Sequence, residues 1–323
     1  MDRPATRRHA KPDPSSNDMT QPATSTPVFV TGGSGFIGQA LVPALLNRGH
    51  PVTVLTRSPE TAAKHLPDAV TLVTSIAGNA NWQHGIVINL AGENLFTQRW
   101  TDSRKQTLLD SRIETTRELV NTMRTEQPPE LFISGSAIGY YGMDPSGNLT
   151  EDAKPGDDFA AVLCQRWEAA ALEANDLTAV ALTRLGVVLD DDGGALERML
   201  PPFKLGVGGR LGSGKQDFSW ITRHDLVRLF LYLIDQHAEG QTVAGAWNST
   251  APAPVTNAEF TQALGDALNR PTAIPVPAFA LKLMLGKAAG MLLGGARVLP
   301  TRAQSAGFRF EHETIKTALT AVL

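Results

Sequence analysis

The stretch VFVTGGSGFIGQALVPALLNRG, residues 28–49, constrains this chain more than any other. A short apolar run leads into a glycine cluster. The cluster leads into apolar residues at helical spacing that stop at Gly49, a helix C-cap by type. Gly32, Gly35 and Gly38 recur every third residue between the predicted strand and the predicted helix. Glycines permit a tight turn and let a pyrophosphate approach the backbone, and a helix N-terminus adds N–H donors and a favourable dipole. Gly32, Gly33, Ser34, Gly35, Phe36, Ile37 and Gly38 are therefore the candidate phosphate-binding residues.

The alternation of strand and helix continues. VTVLTR (52–57), GIVINLAG (85–92), LFISGSA (131–137) and AVALTRLGVVL (179–189) read as strands. Residues 103–124 and FAAVLCQRWEAAALEAN (159–175) read as the helices between them. Strands joined by helix-length crossovers build a parallel sheet covered on both faces. The expected fold is thus α/β: a Rossmann-type doubly wound parallel sheet over residues 27–190, followed by a smaller C-terminal α/β lobe with a helical extension over 191–323. Some strands and helices of that lobe are expected to return to the first domain. PPFKLGVGGRLGSGKQ (201–216) reads as an extended loop, and helices are expected over His224–Gln236 and from Asn257. Lys204, Arg210 and Lys215 in that loop suit either an anionic substrate or a solvated lid.

Residues 1–26 contain no Leu, Ile, Val or aromatic side chain and are expected to be disordered. Arg7 and Arg8 are not followed by an apolar core, so they do not read as an export signal, and Met19 is an alternative start. A single cysteine, Cys164, excludes an internal disulfide framework and a multi-cysteine metal site, and fits a cytoplasmic protein. The net charge of −3 gives no global pull toward nucleic acid or a membrane. The most apolar run, Ala278–Leu293, carries Lys282, Lys287, Gly286 and Gly290 and reads as helices covering a core or a homodimer interface. No His/Asp/Glu metal cluster and no nucleophile elbow is apparent, so no metal is expected.

The end of the second strand bears on the choice of dinucleotide. An NAD-binding fold places Asp or Glu there to accept the ribose 2′-hydroxyl. Here the position falls on Thr56, followed by Arg57. A carboxylate would repel a 2′-phosphate, whereas a guanidinium binds it through paired, charge-assisted hydrogen bonds. The expected cofactor is NADP(H).

TGGSGFIG, INLAG and ISGSAIGYYG together resemble the extended short-chain dehydrogenase/reductases. NLAGENL (89–95), SRIETTRELV (111–120), SGSAIGYYG (134–142), LPPFKLGVGGRLGSGKQDFSWI (200–221) and RVLP (297–300) narrow the resemblance to an atypical epimerase-like branch. That branch carries a C-terminal domain of unknown function. The resemblance implies that Leu90, Ala91 and Gly92 lie beside the adenosine and its ribose, and that Arg112 faces the cleft near the cofactor phosphates.

It also implies a Ser, a Tyr and a Lys that manage the substrate proton while the cofactor transfers hydride. Ser136 matches the serine, with Ser134 as its neighbour. The Tyr and Lys positions fall on Ala160 and Cys164, which supply neither a phenol nor an ammonium. Tyr140, with its neighbour Tyr141, is the substitute candidate, either as a phenol at the cleft or as plain aromatic packing. The implied function is an epimerase-like NADP(H) oxidoreductase acting on a small carbonyl or sugar-nucleotide-like substrate. The alternative is a non-enzymatic NADPH-binding redox sensor. Asp225 reads as a structural partner of nearby backbone, and His224 as an isolated histidine.

Overall fold

A computed structural model describes residues 25–79, 82 and 84–323. The expected disordered segment thus lies, except for its last two residues, outside the described residues, as do Met1 and Met19. Seven strands form one parallel sheet: β1 (Val28–Thr31), β2 (Val52–Leu55), β3 (Thr71–Val73), β4 (Ile86–Asn89), β5 (Leu131–Ala137), β6 (Ala179–Leu185) and β7 (Gly245–Ser249). Their order across the sheet is β3-β2-β1-β4-β5-β6-β7. The order reverses between β1 and β4, and in open α/β sheets that switch point opens a crevice at the carboxyl ends of the strands.

Side-chain alternation along the strands divides the core. Val28, Val30, Ile86, Ile88, Leu131, Ile133 and Ala181 face helices α1 (Gly38–Asn47) and, later in the chain, Arg223–Ala238. The residues between them, Phe29, Val87, Phe132, Val180 and Leu182, face α2 (Asp102–Thr125) and α3 (Phe159–Leu172). The central strands β1, β4, β5 and β6 bury both faces, which is why their sequences are largely apolar runs. Thr101 caps α2 by accepting from the Arg104 amide, and Asp158 caps α3 by accepting from the amides of Ala160 and Ala161.

Three sequence expectations change. AVALTRLGVVL is two strands, because the chain breaks at Gly186. Val187–Asp190 leaves the sheet and pairs with Trp220–Thr222. A Cβ on Gly186 would stand 2.9 Å from the Thr250 methyl and 3.0 Å from the Ser219 carbonyl oxygen, so a larger residue would crowd that crossing. PPFK is not loop but the last turn of α4 (Gly194–Lys204), whose Leu196, Leu200 and Phe203 enter a second core with Trp220, Phe260 and Leu264. Two strands of the seven-stranded sheet were not anticipated. β3 is three residues long, and β7 reads GAWNS, with little apolar pattern.

The helices expected after residue 220 are present as α5 (Arg223–Ala238) and α6 (Asn257–Leu268). The apolar run contains α7 (Ala278–Leu285) and a short helical turn, Gly290–Leu293. Among the described residues no helix is long and apolar enough to cross a membrane.

Candidate functional site

The glycine turn sits at the switch point, between β1 and α1. Gly32 has φ +69°, and a Cβ there would stand 2.6 Å from the Leu90 carbonyl oxygen. The β1 turn and the loop after β4 are therefore in van der Waals contact through a bare backbone. A Cβ on Gly38 would run into the carbonyl of Gly33, so α1 starts directly on the turn. The turn closes through Gly35 N–H donating to the Gly32 oxygen at 3.0 Å, and the Gln39 side-chain amide donating to the Ser34 oxygen at 2.8 Å. The Phe36 ring lies under the Arg223 guanidinium at 4.8 Å and against Gly193 and Gly194. It thus ties the turn to the segment that follows β6.

At the tip of β2, Thr56 accepts from the Ser58 amide at 3.2 Å. Arg57 is 92% exposed and donates through both terminal nitrogens to one Glu93 oxygen at 3.4 Å. No carboxylate stands at the strand end itself. An exposed pair of this length contributes well under about 1 kcal/mol, so Arg57 is free to exchange Glu93 for another anion.

Leu90, Ala91 and Gly92 follow β4, and a buried hydrogen-bond chain fixes that strand end. Thr31 Oγ1 donates to Asn89 Oδ1 at 2.6 Å, and Asn89 Nδ2 donates to Thr116 Oγ1 at 2.8 Å. Thr116 donates to the Arg112 carbonyl at 2.7 Å and accepts from the Trp167 indole at 3.1 Å. Arg112 is nine-tenths buried. It donates to the carbonyls of Leu108 at 3.1 Å and Glu93 at 3.0 Å, and stacks over Trp167 at 5.3 Å. Burial lowers its pKa from the usual arginine value. The expected cleft-facing cation is thus placed beneath the Gly92–Glu93 backbone, where it holds that loop.

The other half of the carboxyl edge is closed. Ser136, Arg184 and Asn248 stand in one register row across β5, β6 and β7, on the face that meets α3. Ser136 Oγ donates to Glu168 Oε1 at 2.6 Å, and Arg184 grips both oxygens of Glu168 at 2.8 and 2.9 Å. The Arg184 and Glu168 side chains are only 5% and 6% exposed. Burial works against the Arg184 cation, but the hydrogen bonds and charge of Glu168 outweigh it and raise its pKa. Arg184 also donates to the Tyr141 hydroxyl at 2.9 Å, and that hydroxyl meets Asn248 Oδ1 at 2.6 Å. Burial raises the Tyr141 pKa, against the pull of Arg184. Tyr140 is half-buried, with its ring face 3.5 Å from the Arg184 guanidinium carbon.

The comparisons with known proteins bear on this edge. The model of the NAD dependent epimerase/dehydratase family matches residues 28–248, and a domain of unknown function, DUF1731, matches 276–322. The chain belongs to the NAD-dependent epimerase/dehydratase family. It is 41% identical over 312 residues to a chloroplastic epimerase family protein SDR39U1 homolog of Arabidopsis thaliana, covering 94% of this chain and 88% of the relative. The human epimerase family protein SDR39U1 is 37% identical, over 92% of this chain and 99% of its own. A crystal structure of that human protein (isoform 2) with NADPH superposes with a TM-score of 0.83 at 36% identity, covering 92% of this chain and 99% of that one. A UDP-galactose 4-epimerase structure matches at a TM-score of 0.72 and 15% identity, over 91% of this chain and 98% of the other, a likeness of fold alone.

Within this epimerase-family fold, the helix face expected to carry the phenol and the ammonium is covered. Ala160 and Cys164 are 7% and 2% exposed. The turn Ile138–Tyr141 packs on them so closely that a Cβ on Gly139 would lie 3.4 Å from the Ala160 methyl and 3.6 Å from Cys164 Sγ. Asp158 pins the turn by accepting from the Met143 amide at 2.7 Å while it caps the helix. Burial, and then the Glu168 charge, push the Cys164 thiol up to about 12, so it is neutral and inert at physiological pH.

Asp225 accepts from the amides of Glu311 at 3.0 Å and His312 at 2.8 Å, as expected of a partner of backbone. His224 is not isolated. Its Nε2 lies 2.8 Å from Glu311, and its ring 5.6 Å from that of His312.

Glu168, Arg184 and Asn248 were absent from the sequence-derived site. One signal was present: an arginine in the run AVALTRLGVVL, at a position whose neighbours two residues back are core. An arginine inside a core run must find acceptors there, and CQRWEAAA offers a carboxylate at Glu168.

Proposed function

We propose that this chain binds NADP(H) at the carboxyl edge of β1, β2 and β4, as an epimerase-family protein of the oxidoreductase type. Residues 27–190 form the dinucleotide-binding part in this reading, and residues 191–323 the substrate-facing part. The observation that carries the choice of cofactor is Arg57, solvent-exposed and loosely paired at a strand end that bears no carboxylate. The chain's own residues fit the group. Gly32 to Gly38 present a bare backbone to a pyrophosphate, Thr56 and Arg57 suit a 2′-phosphate, and Leu90, Ala91 and Gly92 wall the adenosine side. Arg112 acts on the cofactor through the loop it holds. The human relative crystallised with NADPH supports the same assignment.

Bound NADPH supplies a hydride donor. This chain's residues must then hold a small carbonyl substrate and manage its proton. Ser136 and Tyr140 are the candidates at the carboxyl edge. In the structure Ser136 gives its proton to Glu168, so the hydroxyl keeps lone pairs but has no second proton to donate. Tyr140 lies with its ring face on the Arg184 guanidinium. The sensor reading rests on a different observation. Leu285, Ala288 and Met291 pack with Trp100, Tyr140 and Cys164 over the helix face where the phenol and ammonium would stand.

Fluorescence titration with NADPH and NADH tests the cofactor. Arg57→Ala should weaken NADPH by about 2 kcal/mol, roughly thirtyfold, and leave NADH unchanged. Equal losses for both would refute the assignment. Single-turnover oxidation of bound NADPH against small aldehydes, ketones and enones separates the two readings. Oxidation lost in Tyr140→Phe supports the reductase, and tight binding with no oxidation by any compound supports the sensor.

A further inference from the structure

Charge is unevenly spread along this chain. From Ala267 to Phe310, 44 residues contain six lysines and arginines and no Asp or Glu. From Arg198 to Gln216, 19 residues contain four cations and again no acid. These two stretches hold ten of the 29 basic residues of the chain and none of its 32 acidic ones.

The fold brings them side by side. Arg270 Nε donates to the Lys204 carbonyl at 2.9 Å, Gly209 bridges to Ala273, and the Val276 amide donates to the Arg210 carbonyl at 2.8 Å. The second of these segments then continues directly into α7. Both segments point large apolar side chains at solvent: Leu205, Val207 and Ile274, then Phe279, Leu283 and Met284 on α7, between 51% and 79% exposed. They are six of the eight large apolar side chains that are exposed among the described residues. Lys204, Arg210, Lys215, Arg270, Lys282 and Lys287 stand exposed among them. The ion pairs of the described residues include none of those six, although Arg297 nearby is paired with Asp217 at 3.2 Å.

We propose that this face docks the protein peripherally onto an anionic lipid surface. Protruding Phe, Leu and Met side chains set among unpaired cations match an interface whose outer layer is negative and whose inner layer is apolar. A soluble partner would have to supply both an apolar groove and a rim of acid, whereas a bilayer supplies both by composition. The net charge of −3 argues against membrane contact only if charge is evenly distributed, and here it is not. No spanning helix is required. On its inner side, the end of α7 and the segment after it pack Leu285, Ala288 and Met291 into one apolar cluster with Tyr140 and Cys164. The docked face is therefore the outer surface of the cover over the candidate site, which would give an apolar substrate a route from the bilayer. The docking claim does not rest on cofactor binding.

Sedimentation of the full chain with vesicles tests it, using phosphatidylcholine alone and phosphatidylcholine with about a third phosphatidylglycerol. Binding is expected to the anionic vesicles, to fall as salt rises, and to weaken about fivefold for each of Lys204→Glu and Lys282→Glu. The double variant Phe279→Ser with Leu283→Ser should lose it. Since all four residues are exposed, unchanged thermal unfolding and NADPH affinity show that the variants fold. The proposal is overturned by failure to bind anionic vesicles, or by binding that survives the double variant. It is equally overturned if, without lipid, the face mediates self-association or capture of an acidic protein that the double variant abolishes, while vesicle binding is absent.

Discussion

The two halves of the sheet's carboxyl edge use similar side chains to opposite ends. Around β1, β2 and β4 the edge presents bare backbone and an exposed Arg57 whose one ion-pair partner among the described residues, Glu93, lies 3.4 Å away. Around β5, β6 and β7 the edge is a closed circuit. Ser136, Glu168, Arg184, Tyr141 and Asn248 satisfy one another at 2.6 to 2.9 Å, out of solvent. Unsatisfied capacity marks a place built to receive a ligand, and mutual satisfaction marks a place built to stay shut. On the reading proposed above, cofactor binding and proton handling fall in different halves of this edge, and only the first half is open.

The sharpest way to break that contrast is Arg184→Met. Removing one partner of a buried pair leaves an uncompensated charge on Glu168, and a loss of about 3–5 kcal/mol in urea-denaturation stability is expected. A loss below about 1 kcal/mol would mean that water reaches the circuit and that the edge is open on both sides. Gly32→Ala strikes the other half. Its positive φ and the Leu90 carbonyl 2.6 Å from the new methyl should cost about 2 kcal/mol and, by pushing the β4 loop away, most of the NADPH affinity. A variant that keeps its affinity would show that the β4 loop plays no part in the site.

What the sequence disclosed divides along the same line. The glycine turn was legible because it is local: strand, glycines and helix are contiguous, and Gly32 and Gly38 are demanded by backbone carbonyls of the adjacent loop and of the turn itself. The closed circuit was not, because it joins residues 136, 141, 168, 184 and 248 through strand register, which no local pattern displays. Arg112 shows the limit of resemblance in the other direction. Its motif suggested a cleft-facing cation, but the bare Gly92 backbone above it admits the guanidinium beneath the loop, where a Cβ would lie 2.9 Å from its carbon. β7 went unseen because GAWNS has one large apolar residue. Its place in the sheet is held by Trp247, which donates to the Val243 carbonyl at 2.7 Å and lies under the Arg302 guanidinium at 4.1 Å.

Ser136→Ala probes the circuit more gently. Glu168 loses one donor but keeps both Arg184 bonds, so stability should fall by about 1–2 kcal/mol. NADPH affinity should be unchanged, because Ser136 lies in the closed half. If affinity falls tenfold while stability holds, Ser136 faces the cofactor in solution, and the two halves are one site.

Cys164 gives the smallest effect and the cleanest sign. Its thiol in the folded chain is pushed up to about 12, first by burial and then by Glu168, whereas an unfolded chain titrates it in the ordinary thiol range near about 8.5. Between those two values the unfolded state has lost its proton while the native state keeps it. Stability contributed by this group is therefore fully present below about pH 8.5 and declines as pH rises toward 12. Cys164→Ala should flatten that part of the alkaline decline while leaving neutral-pH stability lower by a modest cavity cost of about 1 kcal/mol. Native protein at pH 8 should also react with a disulfide reagent only as fast as it opens, so that adding denaturant, not base, releases the thiol. Rapid labelling of the native thiol would mean that the turn Ile138–Tyr141 lifts from the helix, and that the face where a phenol and an ammonium would stand is open to substrate after all.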